Sequence, residues 1–119
     1  MYAENVLVGK FWIFRQDPIA EIQEILGLSQ TEVASLFCVS QTTIASWRAS
    51  GIPESRLANV ERVHDLAQLL HDELTPSRIP EIIRRKDVWL GNRTVIEVIQ
   101  AEGVTPIYRY LARLLEHNQ

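Results

Sequence analysis

The sequence contains one cysteine, one methionine, five glycines and no long apolar run in 119 residues. Each scarcity removes a class of protein. A single cysteine can neither close an internal disulfide nor build a Cys-rich zinc site, a usage that suits a reducing cytoplasm. The longest apolar stretch, Val6 to Phe14, is broken by Gly9 and Lys10 and falls short of the roughly 20 residues a membrane span requires. It also lacks the charged start and small-residue cleavage site of a secretory leader. An excess of positive charge is missing as well. The chain has 12 Lys and Arg against 15 Asp and Glu, a net charge of -3, whereas strongly nucleic-acid-binding chains tend to be basic. What is present is 46% apolar residues, ordinary for a globular protein and too many for a disordered tail. The length suits one domain or two intimately packed lobes.

Helical periodicity runs from Pro18 onward without β-alternation and predicts an all-α fold. Asp17 caps a helix with Pro18 at its first position and Ile19, Ile22, Ile25 and Leu26 as the apolar stripe, and Gly27 ends it. Ser29 and Glu32 form a capping box for a second helix that turns Val33, Leu36 and Phe37 inward. After a Cys38-Val39 turn, Ser40 caps a third helix from Gln41 to about Ala49, stopped by Ser50-Gly51. Beyond Ile52-Pro53 a long helix runs from Glu54 to about Leu74. Its apolar residues, Leu57 and Val60 among them, cover more than one stripe, so it should pack against its own domain and a second body.

Thr75-Pro76 opens a smaller unit. It comprises a short helix around Ile79, Ile82 and Ile83, an irregular segment at 87–92, and a helix with a Thr94–Glu97 capping box that ends at Gly103. Thr105-Pro106 then caps and starts a last helix with Ile107, Tyr108, Leu111, Leu114 and Leu115 on one face. The chain therefore divides into an N-terminal extension (1–17), a helix-turn-helix region (18–53), a long connecting helix (54–74) and a small helical C-terminal domain (75–119). Phe11, Trp12, Ile13 and Phe14 read equally as strand or helix. They are expected to pack over the domain or clasp a second protomer.

The densest motif spans residues 28–47. Ala34 lets two helices cross closely, Val39 is the buried aliphatic after the turn, and Ile44 and Trp47 anchor the second helix. Between these anchors Gln41, Thr42, Thr43 and Ser46 are short and polar. Such residues read bases in a major groove, because glutamine bonds the adenine N6/N7 edge and threonine meets the thymine methyl. Gln30 and Arg48 are placed for the phosphate backbone. The segment resembles the Xre/Cro-type repressor helix-turn-helix, with Gln30 and Gln41 where that family has a glutamine at the start of each helix. Cys38 stands where glycine is preferred for its freedom to take positive φ. The alternative is a small helical bundle with polar outer faces.

The C-terminal unit carries Trp89-Leu90-Gly91-Asn92-Arg93-Thr94, an aliphatic helix through Ile99, a Glu102-Gly103 step and a Leu-rich last helix. Together with the helix-turn-helix this resembles the Xre/MbcA/ParS-type antitoxin family over roughly residues 18–116. The resemblance implies pairing with a RES-type toxin that consumes NAD, and repression of the protein's own operon as a homodimer or higher assembly on double-stranded DNA. Two departures stand out. Val95 replaces the family's usual proline, and Glu116-His117-Asn118-Gln119 stands where relatives continue into a Gly-Val-aromatic tail. A stand-alone repressor of phage or mobile-element type is therefore a second expectation. A protein-interaction module that mainly occludes a toxin is a third.

The charge is uneven. Residues 75–119 hold seven basic and five acidic side chains, whereas residues 54–74 hold two and five. Arg84, Arg85 and Lys86, with Arg78 and Arg93 nearby, form the one basic cluster, a second contact for DNA or for a partner. The same residues also suit a solvated helix end, where the dipole favours cations. Catalysis is not expected. Cys38 has no histidine nearby in sequence, and no phosphate loop or nucleophile elbow occurs. His64 and His71 lie about 10 Å apart along one helix, too far to share a metal. No cofactor and no membrane contact are expected.

Overall fold

The computed structural model describes residues 7–8, 10–12 and 17–117. Among these the chain is all-α apart from an isolated bridge between Asp87 and Arg93 and one short strand pairing at its start, where β1 (Leu7–Val8) lies antiparallel to β2 (Lys10–Trp12). For residues 7–8 and 10–12 the strand alternative therefore holds. Ile13 and Phe14, and the packing expected of their cluster, lie outside the described residues. Seven helices follow: α1 (Pro18–Leu26), α2 (Gln30–Leu36), α3 (Gln41–Ser50), α4 (Glu54–Glu73), α5 (Ile79–Arg84), α6 (Val95–Glu102) and α7 (Thr105–His117).

Local chemistry sets most of these boundaries. Asp17 Oδ1 accepts from the backbone N–H of Ile19 at 3.0 Å and of Ala20 at 3.2 Å, so α1 starts with its free donors satisfied. Ser29 with Glu32, and Thr94 with Glu97, form complete capping boxes at the starts of α2 and α6. Gly27 ends α1 at φ +67°, and a Cβ there would lie 2.7 Å from Cγ of Pro80 on α5. Glycine at this corner thus serves two needs, a left-handed backbone and close approach of the C-terminal unit.

The core is continuous. Ile19, Ile22 and Leu26 of α1 are buried, as are Val60, Val63, Ala67 and Leu70 of α4, the helix against which α1 packs. Burying one of the Ile, Leu or Val side chains contributes about 1.5–3 kcal/mol. α5 also packs on α1, α6 on α2, and α7 on α4, so the buried residues of the C-terminal unit join the same core. The second body expected against the long helix is therefore α7. Residue 75 marks a break in the chain but not in the core.

Four expectations need correction. Leu57 is 38% exposed, because the first turns of α4 extend past the helices that cover its later residues. Val39 is only half-buried, although it follows the turn as expected. Thr105 lies inside α7 rather than capping it. On α7 the buried set is Ile107, Tyr110, Leu111 and Leu114, while Tyr108 is exposed and Leu115 is half-buried. Tyr110 replaces Tyr108 because its hydroxyl has partners inside: it donates to Asp87 Oδ2 at 2.9 Å and accepts from Arg85 at 3.2 Å.

Candidate nucleic-acid interface

The turn between α2 and α3 spans residues 37–40 and is tightly bonded. Cys38 N–H donates to Ser35 O, and Val39 N–H to Ala34 O, each at 3.0 Å. Cys38 takes φ +57°, the left-handed value for which glycine would be preferred. Ser40 then caps α3, its Oγ accepting from Thr43 N–H at 3.1 Å. Phe37 meets Trp47 edge-on at 6.1 Å, and with Ile44 these rings fix the inner face of α3. Arg56 closes the assembly from α4. Its guanidinium lies 5.8 Å from the Trp47 ring centroid and donates to Phe37 O.

With that face locked, the outer face of α3 presents Gln41, Thr42, Ala45, Ser46 and Ala49 to solvent. Gln30 is exposed at the start of α2, and Gln41 Nε2 donates to Thr31 Oγ1 at 3.0 Å, so the starts of the two helices are pinned together. Gln23, Gln30, Gln41 and Arg48 line a small cavity of about 80 Å³ between α1, α2 and α3. Two further expected contact residues also have partners of their own. Thr43 is half-buried, with its hydroxyl 3.0 Å from Ser40 Oγ. Arg48 Nε donates to Asp17 Oδ2 at 2.9 Å, tying α3 to the cap of α1.

The basic cluster does not form one patch. α5 ends at Arg84 and Arg85 is extended, so consecutive side chains leave in different directions. Arg84 bonds Gly27 O at 2.6 Å and Glu32 Oε1 at 2.7 Å, which places it beside the start of α2 and near Gln30. Arg85 turns inward to Tyr110, Lys86 lies 3.9 Å from Glu97, and Arg93 pairs with Glu102 at 2.8 Å. Arg78 is exposed. Glu32 is held below the ordinary carboxylate value, first by the Ser29 N–H and then by Arg84, against an opposing effect of burial. Asp87 is lowered mainly by the Trp89 N–H, and then by Tyr110 and Arg85. Burial raises Tyr110.

Gln23, Arg56 and Gln100 were not legible as parts of this region. Gln100 Nε2 on α6 donates to Ser35 O at 2.6 Å and to Ser35 Oγ at 2.8 Å, bracing α2 from behind. Such contacts join residues far apart in the chain and leave no local signal in the sequence. His64 bonds Glu21 and lies 3.4 Å from Gln68, whereas His71 lies 3.8 Å from Asp72. The two histidines therefore have separate partners.

The geometry is that of two short, capped helices that present a small polar face. The chain is similar to an antitoxin. A probable mycobacterial cidal antitoxin of Mycobacterium tuberculosis is 26% identical over 81 residues, which is 68% of this chain and 70% of that protein. No family model matches the chain, and no solved structure matches it. Among the described residues no helix is long and apolar enough to cross a membrane.

Proposed function

We propose that the protein is a DNA-binding repressor of the Xre/MbcA/ParS type that also acts as an antitoxin. Its partners are the operator upstream of its own gene and a RES-type toxin, and it binds DNA as a cytoplasmic homodimer. The observation that carries the DNA reading is the outer face of α3, where Gln41, Thr42 and Ser46 stand exposed on a helix whose inner face is locked by Ile44 and Trp47. A rigid helix with short polar side chains fits a major groove and can bond base edges. Gln30, exposed at the start of α2, supplies a phosphate contact that holds register. Thr43 serves the cap of α3 rather than a base. Arg48 reaches a phosphate with the guanidinium nitrogens that Asp17 leaves free.

The antitoxin role is supported by the similarity to the mycobacterial antitoxin. No chemical step is assigned, because both tasks are binding tasks. Arg85, Lys86 and Arg93 have acidic or hydroxyl partners within the chain, so a second DNA contact through the whole basic cluster is disfavoured.

The two tasks separate in cells. A reporter driven by the DNA upstream of the gene should be repressed by the wild type and released by a Thr42→Ala/Ser46→Ala variant. Growth arrest caused by the product of the neighbouring gene should be relieved by both proteins. A reporter indifferent to the wild type contradicts the repressor assignment. Growth arrest that neither protein relieves contradicts the antitoxin assignment.

A further inference from the structure

Val88 and Trp89 lie on a 3-10 turn, Val88–Leu90, at the surface, where Val88 is 74% and Trp89 38% exposed. Adjacent exposed apolar side chains favour a contact surface over bulk water. They border an open groove of about 510 Å³ that also takes in Arg93, Arg109, Tyr110 and Arg113. Arg109 and Arg113 are one turn apart on α7 and share a face. The Arg113 guanidinium lies over the Trp89 ring, 5.3 Å from its centroid. Stacking of this kind fixes the plane of the guanidinium and leaves its N–H edges open to a carboxylate. Tyr110 meets Trp89 edge-on at 6.3 Å and His117 lies 5.0 Å from it, so the ring is held from several sides. Glu102 is the one acid among the lining residues, and it is already paired with Arg93 at 2.8 Å. The groove is thus a basic, partly apolar site on a chain whose net charge is -3.

We infer that this groove docks a protein segment presenting a carboxylate beside a large apolar side chain. The carboxylate meets Arg109 and Arg113, and the apolar group covers Val88 and Trp89. Charge complementarity selects an acidic ligand, and the apolar floor selects protein over nucleic acid, because a phosphate backbone would leave Val88 uncovered. The inference rests on the antitoxin reading only for the identity of the natural occupant, and the groove's own preference is tested without a toxin.

The full chain is used to select from a displayed library of random peptides, and the consensus peptide is then titrated by fluorescence anisotropy. Selected peptides should place Asp or Glu within two positions of Leu, Ile, Phe or Trp. Affinity should fall about tenfold or more in Arg109→Glu/Arg113→Glu, and severalfold in Val88→Asp at its exposed position, with helix content unchanged. Both variants should bind upstream DNA as the wild type does, which separates a failure here from a failure of the α3 reading. The inference is overturned if no acidic-apolar consensus emerges, or if the consensus binds both variants as tightly as the wild type. Loss of binding to random duplex DNA in the double variant, without a peptide consensus, would make the groove a nucleic-acid face and overturn it as well.

Discussion

Cys38 is the residue at which side-chain identity and backbone demand disagree most. It sits at φ +57° in the turn between the two helices of the candidate interface. A left-handed backbone costs an L-residue about 1–2 kcal/mol, partly offset in glycine by a larger loss of chain entropy. Cys38→Gly should therefore stabilise the protein by about 1 kcal/mol and raise Tm by several degrees in a thermal melt. The positive φ was legible through the resemblance to the Xre/Cro-type helix-turn-helix, which has glycine at this turn position. Tyr110 was not legible in the same way. Tyr108 and Tyr110 both border the apolar stripe of α7, and the choice depends on Asp87 and Arg85, which approach from a distant part of the chain.

At the scale of elements, the corner between α1, α2 and α5 concentrates several interactions. Glu32 accepts from Ser29 N–H at 2.9 Å and from Arg84 at 2.7 Å, so one carboxylate completes a cap and fastens the C-terminal unit. Ser29→Ala should cost about 1 kcal/mol through the lost cap. In a double-mutant cycle of Glu32→Ala with Arg84→Ala, measured by urea melts, the two losses should be non-additive, because each substitution removes the same Glu32–Arg84 ion pair. Additive losses would mean that this ion pair contributes nothing to stability. Gly27→Ala should destabilise by about 2 kcal/mol, since it strains a left-handed backbone and drives a methyl toward the Pro80 ring at 2.7 Å. The helix starts in this region were readable from Asp17, Ser29 and Ser40, because capping is local chemistry. The docking of α5 was not, because the tie from Arg84 to Gly27 spans 57 residues.

For the molecule as a whole, charge sets how stability depends on pH. Glu32, Asp87 and Glu97 all have carboxyl groups held below the ordinary value, each chiefly by a backbone N–H. A group whose folded pKa is depressed contributes stability that is present above its unfolded pKa and is lost as pH falls through the folded value. Tm should therefore be nearly flat from about pH 8 to pH 6 and decline as pH drops below about 4. A decline beginning near neutrality would contradict this account. The all-α architecture was legible because seven helices carried either caps or apolar stripes in sequence. The fate of the basic cluster was not, because α5 ends at Arg84 and the three neighbouring cations diverge there to Glu32, Tyr110 and Glu97. Because few cations beside α3 among the described residues lack an acidic partner, the proposed DNA binding would depend largely on base contacts.

That dependence is tested most directly by titrating the protein against the duplex upstream of its gene and against a scrambled duplex of the same composition, at one fixed salt concentration. The wild type should prefer the upstream duplex by about a thousandfold or more, and Thr42→Ala/Ser46→Ala should lose most of that preference while retaining its weak binding to the scrambled duplex. Equal affinity of the wild type for both duplexes, or an unchanged preference in the variant, would contradict the assignment of α3 as the base-reading element.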